Sequence, residues 1–166
     1  MALPTLAWME SAKELIGTKE VSGKGSNPEI VEWAKMIGGF VAKYYTTDDI
    51  PWCGLFVAHC LTENQMRIPG NPLSALEYSQ WGVGLNHPSY GAVMVFTRNG
   101  GGHVGFYVGE DDEAYHILGG NQSDMVDITR VGKNRLHSIR WPSEAAHDFT
   151  GPIVQEYAGP LSLNEA

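Results

Sequence analysis

Near residue 90 the spacing of apolar side chains changes, and that change decides which folds the chain can adopt. Before it, the spacing is helical. Trp8, Ala12, Leu15 and Ile16 form a one-sided stripe ended by Gly17, which predicts a helix over 8–16. Asn27-Pro28 pairs a cap residue with proline in the first turn, so a second helix is predicted from Pro28 towards Ile37, stopped by Gly38-Gly39. A third starts near Pro51, with Asp48 or Asp49 as its cap and Phe56, Val57, Cys60 and Leu61 at helical spacing. Ser74-Ala75-Leu76-Glu77 matches a capping box and predicts a short helix up to Trp81. From Gly91 onward the runs are short and rich in Val, Ile, Phe and Tyr, with Gly, Asn and Asp between them. Residues 91–96, 103–108, 114–118, 125–128 and 137–141 read as five strands in a meander. Helices first and strands afterwards predict an α+β fold, with N-terminal helices packed on a C-terminal antiparallel sheet of about five strands.

A chain of 166 residues fits one domain, here residues 1–142. Residues 143–166 have no clear period and read as a tail packed on that domain or extending from it. A formal charge of −8 with only eleven Lys and Arg argues against a nucleic-acid partner, since phosphate binding needs clustered cations. Neither a basic amphipathic stretch nor an apolar run of roughly 18 residues suggests a membrane. The N-terminus lacks the basic and uninterrupted apolar regions of a signal peptide, so the expectation is a protein made in the cytoplasm. No obligate protein partner is evident.

Both cysteines lie in PWCGLFVAHCL, residues 51–61. On a helix, seven residues rise about 10 Å, beyond the roughly 7 Å Cα separation a disulfide tolerates, so both thiols are expected free. Cys60 lies on the apolar stripe and reads as core. Cys53 falls in the first turn, where backbone N–H groups and the positive end of the helix dipole favour a thiolate. A lone cysteine in an apolar run is more often simply buried, so a second group has to raise it above that reading.

His103 is that group. In GGGHVGFYVG, residues 100–109, Val104, Phe106 and Val108 alternate with His103, Gly105 and Tyr107, and Gly105 leaves room for a helix to approach that second face. A three-residue loop after Glu110 would pair Glu110 with Ala114 and place His103 opposite Asn121; a two-residue loop would turn Asn121 to the other face. Cys53, His103 and Asn121 together supply a nucleophile, a base and a group that orients the base. The oxyanion would be held by the Cys53 backbone N–H and a second donor that the sequence does not identify.

DDIPWCGLFVAHCL, GHVGFYVG and ILGGNQSD resemble, in that order, the cysteine, histidine and asparagine motifs of the CHAP and NlpC-like peptidoglycan hydrolases of the papain-like superfamily. In particular the chain resembles a CHAP-related group of bacteriophage lysis proteins and bacterial wall hydrolases. With AWMESAKELIGTKE and NPEIVEWAK it covers roughly residues 5–142. The resemblance implies a papain-like catalytic domain with Cys53 as nucleophile, His103 as base and Asn121 as the orienting residue. Its implied substrate is bacterial peptidoglycan, cut between muramic acid and L-Ala or within the stem or cross-bridge. Many members carry a glutamate near the third position, where this chain has Gly119-Gly120 before Asn121. No cofactor or metal is implied. Without an export signal, such an enzyme would reach the wall through a phage holin, a phage particle or a specialised secretion system.

Trp52, Tyr107 and Gln122 are candidate substrate contacts. Glu110-Asp111-Asp112-Glu113 lacks the spaced pattern of a calcium loop and reads as a solvated turn. Two competing readings are a zinc amidase using His103, His116 or His137 with a cysteine, which fits no strong zinc spacing, and a wall-binding module without catalysis.

Overall fold

A computed structural model describes residues 5–21, 25–46, 51–145, 151–156, 159–163 and 165. The chain is α+β. Helix α1 (Ala7–Glu14) buries Trp8, Met9 and Ala12, and the Trp8 indole N–H donates to the Gly91 carbonyl at 2.9 Å. Helix α2 (Pro28–Ile37) starts as the sequence predicts: Pro28 occupies the first turn and the Asn27 side chain accepts from the Glu29 N–H. The glycines expected to stop this helix also start another, α3 (Gly39–Tyr44), which the periodicity did not reveal. Both take positive φ, +79° at Gly38 and +56° at Gly39, and so turn the chain sharply between two helices.

Helix α4 (Cys53–Thr62) is the central element. It packs between α1 and α2 on one side and two strands of the sheet on the other. This is why its residues are apolar nearly all round, with Leu55, Phe56, Val57, Ala58, Cys60 and Leu61 all buried. Trp52 at its N-cap supplies no capping side chain, and the proposed caps Asp48 and Asp49 lie outside the described residues. The segment expected to be a capped α-helix after Ser74 is instead a 3-10 helix, Ala75–Gln80, with no side-chain cap from Ser74. It is held to the start of α4 by the Tyr78 hydroxyl, which donates to the carbonyls of Gly54 (2.7 Å) and Pro72 (3.2 Å).

The sheet has seven strands, not about five: β1 (Val83–Gly84), β2 (Val93–Arg98), β3 (Gly101–Glu110), β4 (Ala114–Gln122), β5 (Met125–Gly132), β6 (Leu136–Trp141) and β7 (Leu161–Ser162). The five long ones are those read from the sequence. The two extra strands have two residues each, too short for alternation to reveal. The order is β1-β6-β2-β3-β4-β5-β7, antiparallel except for the parallel β5–β7 pair. A meander would leave β6 beside β5. Instead a short 3-10 turn, Lys133–Arg135, carries the chain across so that β6 pairs with β2.

Parts of the described tail pack on the domain. Glu110 exchanges backbone hydrogen bonds with the 153–155 segment, its N–H donating to the Ile153 carbonyl and its carbonyl accepting from the Gln155 N–H, and β7 extends the sheet. Among the described residues no helix is long and apolar enough to cross a membrane.

Two irregularities shape the region around His103 and Asn121. The β3–β4 hairpin closes one residue wider than expected, with Glu110 opposite Tyr115, and a bulge at Val108 then restores the offset, so that Tyr107 faces Ile117 and Phe106 faces Leu118. The ladder stops there, before His103 and Asn121. On the other side of β4 a second bulge inserts one extra residue across Gly120 and Asn121, and Asn121 takes a left-handed φ of +59°, which asparagine tolerates better than most residues.

Candidate active site

Cys53 is the first residue of α4 and opens onto the surface with only 6% of its area exposed; Cys60, two turns on, has none. Neither is in a disulfide. Their environments push the thiols in opposite directions. Burial first, and then the charge of Glu63, raise Cys60 well above an ordinary thiol. Burial also pushes Cys53 up, but pairing with His103, the Val104 backbone N–H and the positive charge of Arg98 outweigh it, so Cys53 ends below its ordinary value. Val104 lies beyond the last β3–β4 pair, so that amide is free of the β4 ladder.

His103 on β3 is fully buried and stacks on Phe96 of β2, its cross-strand partner. Burial opposes its charged form, yet Cys53 first, then Glu165 and Gln122, raise its pKa above the ordinary imidazole value. The two shifts are mutual. They favour a thiolate beside an imidazolium.

Gln122 fixes which ring nitrogen faces the thiol. Its amide nitrogen donates to the carbonyls of Ile117 (3.0 Å) and Asp127 (2.7 Å), so its oxygen is the atom left for His103 Nε2, 2.9 Å away. An oxygen there can only accept, which places the proton on Nε2. The neutral ring therefore keeps its lone pair on Nδ1, which is buried, is bonded to no other polar group and is the ring atom left for the Cys53 thiol. That open acceptor is the feature a base needs.

The third position thus differs from expectation. Asn121 does not reach His103; its side-chain N–H donates to the Glu165 carbonyl at 2.9 Å. The bulge is the physical reason. One inserted residue reverses the in–out alternation of β4, so Gln122 takes the side expected for Asn121. Glycines make the arrangement possible. A Cβ on Gly119 would stand 2.6 Å from the Gln122 oxygen, and one on Gly120 would stand 2.7 Å from Phe56 Cβ and 2.8 Å from the Trp52 ring. Gly120, on β4, is therefore where α4 approaches the sheet, on the face that also carries Phe106 against Phe56. Gly105, expected to make that room, instead admits Ile117 of β4. GGNQ contained the signal, since paired glycines before a left-handed-tolerant Asn mark a bulge.

Two other sequence candidates are not on the surface. Trp52 is wholly buried between α2 and the sheet, its indole N–H donating to Glu20 at 3.3 Å. Tyr107 is also fully buried; its hydroxyl donates to Glu110 (2.7 Å) and accepts from the Ile153 N–H (2.9 Å). Both are held by the protein's own groups, which removes them as substrate contacts. Gln122 is 2% exposed and contacts His103, not the cleft.

What the sequence did not reveal is the cleft in front of Cys53, of about 400 Å³. Phe40 and Tyr44 of α3 line it, with Asn71, Ser74 and Leu76 and with Arg98, Gly101 and Gly102 of the β2–β3 hairpin. Phe40, Tyr44 and Leu76 are 49%, 63% and 39% exposed, an apolar lining turned to solvent. A Cβ on Gly102 would lie 2.8 Å from Leu76 and would make that side chain shift. The histidines of the zinc alternative do not converge: His116 bonds Asp111 and Gln155, and His137 bonds Ser138. Among the described residues no group of three or more His, Cys, Asp or Glu is placed to hold a metal ion.

The chain matches no family model, no curated protein and no solved structure.

Proposed function

We propose that the protein is a thiol-dependent peptidoglycan hydrolase of papain-like fold, with Cys53 as nucleophile, His103 as base and Gln122 as the residue that orients the base. The observation that carries this reading is the open Nδ1 of His103, set by the Gln122 amide and paired with a low-pKa thiol at the mouth of a cleft. His103 draws the proton from Cys53, and the thiolate attacks an amide carbonyl of the wall peptide. The tetrahedral oxyanion is held by the Cys53 backbone N–H at the start of α4. The intermediate collapses as imidazolium gives its proton to the leaving amine, and the thioester is hydrolysed by water that His103 deprotonates. Gln122 keeps the productive tautomer throughout. The apolar walls of Phe40, Tyr44 and Leu76 suit the aliphatic part of an extended peptide, and Asn71 and Ser74 can bond its backbone. Access to the wall is through a holin, a phage particle or a specialised secretion route.

The test is digestion of purified cell walls of defined chemistry. Soluble muropeptides should appear with the native protein and vanish with Cys53→Ala or after iodoacetamide, while EDTA leaves the rate unchanged. Mass spectrometry of the fragments distinguishes a muramoyl–L-Ala cut from a cut within the stem or cross-bridge. Undiminished digestion by Cys53→Ala would end this reading.

A further inference from the structure

Glu165 is a buried carboxylate that the mechanism above does not use. It is 3% exposed. Its two oxygens are held by the Arg135 guanidinium, one Nη1 contact being 2.9 Å, and by the Ser162 hydroxyl. Its backbone carbonyl accepts from Asn121 Nδ2 at 2.9 Å. Asn121 is the left-handed residue of the bulge that turns Gln122 onto His103. Glu165, Asn121 and Gln122 also line one cavity of about 350 Å³. The tail therefore touches the bulge at the residue next to Gln122, and its carboxylate acts on the imidazole electrostatically.

We infer that Glu165 is a positioning residue: its carbonyl locks the Asn121 bulge, and its carboxylate stabilises the imidazolium form of His103, raising the share of Cys53 present as thiolate. This rests on Cys53 and His103 being the reacting pair. The groups that face His103 or its thiol are Cys53 at the start of α4, Tyr78 of the 3-10 helix, Arg98 of β2, Gln122 of β4 and Glu165. Those around Glu165 are Arg135, Ser162 and Asn121, with Asp124 on the same cavity. The electrostatic link runs in both directions, since His103 helps Arg135 to hold the Glu165 carboxyl down at about 2 against its burial.

A purely structural clip and an electrostatic one differ in the sign of two substitutions. The His103 imidazole is titrated by NMR in the native protein and in Glu165→Gln, Arg135→Gln and Glu165→Asp, alongside the pH dependence of Cys53 alkylation by iodoacetamide. Glu165→Gln should lower the His103 midpoint and slow alkylation at neutral pH several-fold. Arg135→Gln, which leaves the carboxylate uncompensated, should raise the midpoint, and Glu165→Asp should keep most of the native value. Movement of Glu165→Gln and Arg135→Gln in the same direction, or no movement in either, overturns the inference. Should Glu165→Gln fail to fold, Arg135→Gln and Glu165→Asp still decide it. A native Cys53 that alkylates only like an ordinary thiol would instead sink the proposed function, and the inference with it.

Discussion

The β3–β4 hairpin carries a fully buried histidine near each end, and the two are wired differently. At the turn, His116 uses both ring nitrogens: Nε2 meets Asp111 at 2.7 Å and Nδ1 meets Gln155 at 3.2 Å. Asp111 is itself saturated, taking two contacts from Arg130 at 2.9 Å and two from the backbone of its own turn. The acidic run read as a solvated turn is thus partly a buried polar clasp that holds the 153–155 segment. At the open end, His103 uses only Nε2, and its other nitrogen is left facing a thiol. A saturated network has nothing to exchange and serves stability, whereas an unfilled acceptor costs free energy in the folded state and is retained where a proton has to move. The difference arises from strand pairing. β3 and β4 remain laddered beside His116 and part before His103.

The largest expected effect separates the two histidines directly. His103→Ala should reduce wall hydrolysis by about 10³-fold or more. His116→Ala should leave the rate within a few-fold while destabilising the fold by about 1–3 kcal/mol, because Asp111 and Gln155 lose a buried partner. Denaturant melts run beside the rate assay measure both, and equal loss of activity in the two variants would erase the distinction.

A smaller effect sharpens the role of Gln122. Removing the orienting contact with Gln122→Ala should lower kcat by about 10- to 100-fold, by analogy with other outer partners of a working imidazole. Gly119→Ala should approach the same loss without touching either polar side chain, since the new Cβ displaces the Gln122 oxygen. Rates at native levels in Gly119→Ala would show that the His103–Gln122 contact is dispensable.

The smallest concerns pH. The Arg130 pairing first, and then His116, hold the Asp111 carboxyl far below the usual carboxylate range. A depressed carboxylate contributes stability above its unfolded pKa of about 3.9, and that stability is lost as pH falls towards the folded value. Asp111→Asn should therefore be less stable at neutral pH by more than about 1 kcal/mol, and the gap to the native protein should narrow below about pH 4. Melting temperatures across pH 2–7 provide the check. The pH profile of Cys53 alkylation should not move, since Asp111 belongs to the other end of the hairpin.

The amino-acid sequence by itself determined the α+β order, the bounds of α2, the first-turn position of Cys53, the five long strands and the pairing of a helix-start thiol with His103. These follow from periodicity, caps and glycines, which act over a few residues. For the third position it pointed to Asn121, whose neighbour Gln122 is the residue that meets His103. Tertiary structure decided the rest. Which of Asn121 and Gln122 meets His103 depends on a one-residue bulge, and a change of one residue in a strand reverses every side chain beyond it. That β6 returns to β2, that Trp52 and Tyr107 are sealed in the core, and that Glu165 reaches the bulge 44 residues away are products of long-range packing. Local spacing has no access to partners so distant, and it is they that leave His103 Nδ1 open beside Cys53.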